Sequence, residues 1–295
     1  GDRMIEKYYN GVIEQVAGGI GNVEHNSILV RYSNDFSIWD LESVNHYKDQ
    51  TDIFFTCHEF SYNKIAEAYE PYLGLIRQMF HKYCSGTLEE FMEECDVYKL
   101  QRPVFESYFE KGFCERTEQI LIDEVEYEQE RMRNSIVTML QKLSEIRPVV
   151  IVLNRFQLAS KSTMQLSNSL LQVKNKNIGI VLGVNDVQSI PEFAHEEWDA
   201  ICESMDDRNM VYHIGNAGRN MEPDVMDYYS DYESDDGYRK LNNLVYFLDF
   251  DQADHHLSKI ERRIKFDNFT ISEKKHYQLL LLQIMVSVLQ RDIAK

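Results

Sequence analysis

The sequence has no apolar run long enough to cross a membrane. Its longest such run, residues 279–282, is interrupted by Gln283, whereas a transmembrane helix needs roughly 18 consecutive apolar residues or more. The N-terminus mixes acidic and basic residues, which is not the pattern of a secretory signal peptide. We therefore expect a cytoplasmic protein with no membrane partner.

Positive charge is also scarce, since 31 Lys and Arg residues face 49 Asp and Glu residues, for a net charge of −18. Such a negative field repels the phosphates of nucleic acids and the head groups of anionic lipids. The composition therefore argues against a nucleic-acid partner. The length of 295 residues allows one large domain, or one domain with an appendage, to bury a sizeable core.

Paired cysteines are missing as well. The five cysteines lie far apart, form no CxxC motif and are odd in number: Cys57, Cys84, Cys95, Cys114 and Cys202. This usage indicates reduced thiols of a cytosolic protein, most of them small core residues.

What the chain does contain is short apolar runs that alternate with amphipathic helical patterns. The clearest buried strand is residues 149–153, and four further runs predict strands: residues 27–32, 51–57, 177–186 and 209–216. Strands that alternate with helices favour a parallel sheet covered on both faces. We predict an α/β fold with a five-stranded parallel sheet flanked by helices, followed by a C-terminal helical segment.

The turn after the first strand has the wrong composition for a phosphate loop. In nucleotide-binding α/β proteins, glycines and a lysine cradle phosphate at this point. Here the turn is Ser33, Asn34, Asp35, Phe36 and Ser37, with no glycine and no lysine. It is either a phosphate loop that has lost its chemistry or a plain turn.

Three stretches carry a resemblance to a known family. The stretch "VVIVLNRFQLASKSTMQLSNSLL" resembles the second nucleotide-binding motif of the STAND branch of AAA-type P-loop ATPases. "IFFTCHEFSYNKIAEAYEPYLGLIRQMF" is similar to the family's strand ending in Cys with its following "PY" helix, and "NIGIVLGVND" to its sensor strand. The resemblance implies a P-loop NTPase-like sheet with the strand order fifth, first, fourth, third, second. It further implies a module of a bacterial signalling or regulatory protein, followed by TPR-like helices.

The catalytic residues of that family are absent at the matching positions. The acids that would hold magnesium and activate water fall on Asn154 and Arg155. An amide is a weak ligand for a hard cation, and a guanidinium repels it. A further acid falls on Ser160, and the sensor falls near Asn185, which could still hydrogen-bond a phosphate. We therefore expect no catalytic residue, no cofactor and no metal.

The resemblance marks a set of degenerate nucleotide-site positions that we expect to be inactive: Ser33, Asn34, Asp35, Ser37, Asn154, Arg155 and Asn185. The phosphate loop itself falls on residues 31–39. Because a phosphate cradle needs bare backbone amides, we expect the large apolar side chains of Phe36, Ile38 and Trp39 to fold inward over the place of the phosphate.

The chain divides into three predicted segments. Residues 1–216 form the degenerate AAA/STAND-like domain, residues 217–240 an acidic linker and residues 241–295 a TPR-like helical segment. Residues 222–236 contain seven acids and no Lys or Arg, which is typical of a solvated linker. Helical patterns run up to both ends without caps, so we expect a piece of a longer protein.

The last helix is apolar on more than one face, with Leu281 and Met285 among its apolar residues. Such a helix must be buried, so the sequence predicts self-association through the C-terminal helices, or contact with further domains or a partner protein.

The resemblance, with its catalytic residues absent, implies a non-catalytic STAND-like pseudo-ATPase that serves as a scaffold or regulatory module of an intracellular signalling protein and acts through protein–protein interaction. One alternative is an ATP-binding switch that holds nucleotide noncanonically through Arg31, Arg155 or Asn185, with little or no hydrolysis. The other is an enzyme whose site lies elsewhere.

Two other pairs of residues give little support for an enzyme site. His255 and His256 are adjacent on a helix, point about 100° apart and so cannot chelate together, which favours a solvated face. Cys57 and His58 are consecutive on a strand, so they point to opposite faces.

Overall fold

The computed structural model describes residues 2–33, 36–61, 64–114, 124–186, 189–207, 211–214, 235–266 and 271–293. Its strands are β1 (Ser27–Tyr32), β2 (Phe54–Glu59), β3 (Val149–Asn154), β4 (Ile178–Asn185) and β5 (Val211–Ile214). They lie in the order β2-β3-β4-β1-β5, and every pairing is parallel.

The predicted α/β class, the parallel sheet between helices and the C-terminal helical segment are confirmed. The order of the first four strands also agrees with the predicted order first, fourth, third, second. The predicted count of five strands is confirmed only in part. Four strands, β1 to β4, make up the sheet whose side chains are described. The predicted fifth strand, residues 209–216, is reduced to β5, which adds four residues of backbone along the outer edge of β1.

The two central strands explain why the sequence identified the sheet. Every residue of β3 and of β4 is buried, because helices cover both faces of the sheet. A strand buried on two faces carries a continuous apolar run instead of an alternating pattern, and residues 149–153 are such a run.

The helices are α1 (Asp2–Gly19), α2 (Glu42–Lys48), α3 (Tyr72–Tyr83), α4 (Leu88–Glu94), α5 (Arg102–Lys111), α6 (Val125–Ile146), α7 (Lys161–Gln172), α8 (His195–Asp207), α9 (Asp235–Tyr246), α10 (Phe250–Phe266) and α11 (Glu273–Ile293). Helices α1 and α2 cover one face of the sheet, and α3, α6, α7 and α8 cover the other. No helix in the described ranges has both the length and the apolarity to span a bilayer.

The C-terminal segment packs on the α/β body as three helices. Residues 235–240, which we assigned to the linker, form the first turns of α9; residues 217–234 lie outside the described residues. The loop between α9 and α10 contacts the start of α7, where Ser162 N donates to Asp249 Oδ2 at 2.8 Å. Asn242 Nδ2 donates to Cys114 O at 2.8 Å. The helices are thus joined to the body by buried polar contacts as well as by apolar ones.

One prediction for this segment is wrong. We placed His255 and His256 on a solvated helix face, but His256 is 1% exposed. Its Nε2 accepts a hydrogen bond from Ala66 N at 3.2 Å and lies 3.0 Å from Gln252 Nε2. The ring is therefore a neutral acceptor that joins α10 to the loop after β2.

Candidate functional site

The candidate site lies where the carboxyl ends of the parallel strands meet. Tyr32, Glu59, Asn154 and Asn185 are the last residues of β1, β2, β3 and β4. In open α/β sheets, ligands bind in the crevice outside this edge. The side chains at this edge therefore decide what the fold can bind there.

Asn154, the predicted position of the magnesium-binding acid, is fully buried within a hydrogen-bond network. Its Oδ1 accepts from the Tyr32 hydroxyl at 2.7 Å. Its Nδ2 donates to Glu59 Oε2 at 3.1 Å and lies 3.4 Å from Phe36 O. The amide is thus engaged by residues of β1, β2 and the loop after β1.

Glu59 is the centre of this network, and sequence reasoning missed it. Its Oε2 accepts from the loop amide of Ile38 at 3.0 Å, and its Oε1 lies 3.2 Å from Arg155 Nη1. The Glu59 and Arg155 side chains are only 9% and 19% exposed. A carboxylate that accepts a loop N–H and pairs with a guanidinium has the partners that a bound phosphate would need.

The backbone of Arg155 supports this pairing. Arg155 has φ 56° and ψ 41°, a left-handed conformation that is unfavourable for a residue with a Cβ. Such a conformation costs of order 1–3 kcal/mol and persists when the surroundings compensate for it. Here the turn follows β3 directly and presents the guanidinium to Glu59.

The start of α2, which follows the loop, is also satisfied internally. Ser43 N and Ser43 Oγ both donate to Asn10 Oδ1, at 3.0 and 2.6 Å. In a phosphate-binding fold the amides at this helix start face the ligand. In this chain, a side chain of α1 engages one of them.

The loop side chains follow our prediction in part. Phe36 packs edge-on against Tyr9 and Tyr32, with ring centroids 5.3 and 4.8 Å apart. Ile38 is fully buried, so these two residues fold inward as predicted. Trp39 does not, because half of its side chain is exposed.

Of the remaining predicted positions, the structure describes Ser33, Ser37 and Asn185. Ser33 is buried, whereas Ser37 is exposed and its Oγ lies 3.4 Å from the amide of Trp39. Asn185 is 4% exposed, and its backbone N donates to Gln157 Oε1 at 3.1 Å. Residues 34 and 35, the predicted Asn34 and Asp35, lie outside the described residues.

Arg31, one of three residues considered for a noncanonical nucleotide site, contacts α8 and the end of β4. Its Nη2 donates to Cys202 Sγ at 2.9 Å, its Nε lies 3.7 Å from Asp186, and its guanidinium lies 5.9 Å from the Trp198 ring centroid. Since Arg155 pairs with Glu59, the two arginines have separate acidic partners.

A second polar cluster joins His58, near the end of β2, to Glu67 and Glu70 in the loop that follows the strand. His58 Nε2 lies 3.0 Å from Glu70 Oε1, and Glu67 N donates to Glu70 Oε2 at 3.1 Å. Burial, and then the Glu70 charge, raise the pKa of Glu67 to about 8. These residues line two adjoining cavities of about 190 and 270 Å³. A protonated carboxyl beside a carboxylate could serve acid–base chemistry, so this cluster is where an enzyme site would be sought.

The described residues support neither a cysteine nucleophile at Cys57 nor a metal site. Burial raises the pKa of the Cys57 thiol to about 12, so the thiol stays protonated at neutral pH. No group of three or more His, Cys, Asp or Glu residues within the described ranges could hold a metal ion.

Comparisons of the chain with protein-family models, with curated proteins and with solved structures find no match. The STAND-type assignment therefore rests on the motifs in the sequence and stays a proposal.

Proposed function

We propose that this chain is a non-catalytic, STAND-like pseudo-ATPase module that serves as a scaffold or regulatory platform in a cytoplasmic signalling protein. One observation carries the proposal: the Glu59 carboxylate accepts the Ile38 amide and pairs with Arg155, as a phosphate would. The strand order, which agrees with the order implied by the resemblance, supports it further.

The residues at the two motif positions explain why hydrolysis is not proposed. Phosphoryl transfer needs a carboxylate to hold Mg²⁺ and a residue to orient the attacking water. Asn154 and Arg155 supply neither, and both already contact Glu59. A nucleotide switch without hydrolysis is less favoured, because its phosphates would have to displace the Glu59 carboxylate from the loop.

The surface that supports a scaffold role is on α11. Leu279, Leu282 and Val286 are each 1% exposed and face the protein. The opposite side carries Tyr277, Leu280, Leu281, Ile284 and Val288, all exposed. We call these five residues the α11 stripe. Four of them follow the spacing of four, three and four residues that coiled-coil contacts use, so we propose that the α11 stripe mediates self-association or contact with a partner helix.

Phosphate release from ATP and GTP with Mg²⁺ tests the enzymatic part of the proposal. We expect the purified protein to stay at the level of the buffer. The matched variant Glu59→Gln should behave in the same way, because it loosens the loop without supplying a magnesium ligand. Magnesium-dependent turnover that is abolished by Asn154→Ala or Arg155→Ala would contradict the proposal.

A further inference from the structure

The outer edge of β2 is the edge of the sheet that lies away from β3. Strand β2 ends the sheet order, and among the residues that the structure describes its strand partner is β3 alone. Phe54 N donates to Pro148 O at 2.7 Å, and Phe60 N donates to Asn154 O at 3.0 Å, both toward the β3 side. Because successive residues of a strand alternate in hydrogen-bonding direction, the peptide groups of Phe55 and Cys57 point outward.

A groove of about 490 Å³ runs along this edge. Helix α2 forms one wall with Val44 and Lys48, and α3 forms the other with Lys82 and Tyr83. Trp39, half exposed, lies among the lining residues. The groove is therefore lined by residues 53–57 of the strand edge together with apolar side chains such as Trp39 and Val44.

The first four residues of β2, which line the groove, carry neither proline nor a charged side chain; the charged residue of the strand, Glu59, lies beyond them in the carboxyl-edge network. Native edge strands are blocked by Pro, by charged residues on the strand, by bulges or by a covering element. Residues 54–57 are Phe, Phe, Thr and Cys. An edge of this kind can accept an added strand, with backbone hydrogen bonds supplying affinity and side-chain pockets supplying selectivity.

The charge of the groove identifies the kind of strand that fits. Lys48, Lys82 and Arg147 line it, and none of its described lining residues is Asp or Glu. Lys82 Nζ lies 5.4 Å and the Arg147 guanidinium 5.2 Å from the Tyr83 ring centroid, so both cations contact the same ring of the groove wall. In a chain of net charge −18, this local positive patch selects for acidic ligands.

We propose that the β2 edge is a docking site for an extended acidic segment of a partner protein, which adds to the sheet as a further strand. Its backbone pairs with Phe55 and Cys57, its acidic side chains meet Lys48, Lys82 and Arg147, and its apolar side chains rest near Trp39. The docking site is separate from the Glu59 network and does not depend on the fate of nucleotide there.

Synthetic peptides test this site directly. The probe is a fluorescently labelled peptide of about six residues, a typical strand length, with alternating Glu and Val or Tyr. Two control peptides have the same length: one carries Pro in the centre, and one has Lys in place of Glu. We expect the acidic peptide to bind, measured by anisotropy, and the control peptides to bind about tenfold more weakly or not at all.

Charge reversal on the protein gives the matched comparison. Lys48 and Lys82 are exposed, so Lys48→Glu with Lys82→Glu should preserve folding and weaken the acidic peptide about tenfold. Lys142→Glu with Lys274→Glu makes the same change in net charge at exposed positions outside the groove lining and should leave binding unchanged. In a Trp198→Phe background, emission from Trp39 should change on binding.

Three results would overturn the proposal: no binding of the acidic peptide, equal loss in both double variants, or equal binding of the proline-containing peptide. The last would mean charge attraction without strand pairing.

Discussion

Replacing Glu59 by glutamine removes the negative charge at the centre of the carboxyl-edge network while keeping the shape of the side chain. In the wild type, the carboxylate accepts from Ile38 N and Asn154 Nδ2 and pairs with Arg155. In the variant, the Arg155 guanidinium loses its attraction to the negative charge of Glu59. We therefore expect Glu59→Gln to destabilise the folded protein.

The size of the effect follows from burial. With side chains 9% and 19% exposed, Glu59 and Arg155 form a largely buried ion pair, and removing one partner of such a pair costs about 3–5 kcal/mol. The glutamine oxygen can still accept one of the two N–H bonds, which recovers about 1 kcal/mol. We expect the free energy of unfolding to fall by about 3 kcal/mol.

Urea unfolding, followed by circular dichroism, measures this loss. The matched control is Glu93→Gln, which removes the carboxylate from the pair between Arg102 Nη1 and Glu93 Oε2 at 2.8 Å, where Glu93 is 70% exposed. That variant should lose about 1 kcal/mol or less. Equal losses in the two variants would refute the reasoning. Adding Arg155→Gln to Glu59→Gln should cost less than the sum of the single changes.

Three further predictions concern packing, pH and association. Gly183→Ala should cost about 2–3 kcal/mol, because its Cβ would overlap the Tyr9 hydroxyl; Tyr9→Phe should recover part of that loss in urea unfolding. Burial lowers the pKa of His256 well below its ordinary value, so the folded state binds fewer protons there than the unfolded state. The wild type should therefore lose its advantage in unfolding free energy over His256→Gln as the pH falls below about 6.5, by up to about 1.4 kcal/mol per pH unit. Light scattering at tens of micromolar should detect association that Leu281→Glu with Ile284→Glu abolishes.

Each of these has its own control. Gly11→Ala, with open space around the added Cβ, should be neutral or stabilising by about 0.5–1 kcal/mol; a similar loss at both glycines would remove the overlap argument. If the difference in unfolding free energy between wild type and His256→Gln stays constant across acidic pH, the ring of His256 is not held neutral by the fold. For association, Lys274→Glu changes an exposed polar position on the same helix, and a strict monomer in the wild type would rule out self-association through the α11 stripe.

The sequence predicted the elements whose burial leaves a local signature. Strands β3 and β4 appear as continuous apolar runs because both of their faces are covered. Asn154 was identified by its place at the end of one such run. That the site would be occupied by an internal network was only partly foreseen, through the apolar character of Phe36 and Ile38.

The features that were missed depend on contacts between distant parts of the chain. Glu59 looks like an ordinary acid after a strand, and its role appears only once β2 lies beside β3, in register with Asn154. Because the carboxyl ends of parallel strands share one edge of a sheet, the sequence could have placed Glu59 beside Asn154. His256 gave no such signal, because its partner Ala66 is 190 residues away. Trp39 was placed inward on apolarity alone, although nearby Phe36 and Ile38 take up the interior positions.

We propose that the protein's own side chains fill the carboxyl edge of the sheet, with Glu59 in the role of the anion. Titration calorimetry of the wild-type protein with ATP and Mg²⁺, at nucleotide concentrations up to about 1 mM, tests it most directly. We expect no saturable heat. One-to-one binding that is weakened by Arg155→Ala or Asn185→Ala would contradict it, because nucleotide would then occupy the position that we assign to Glu59.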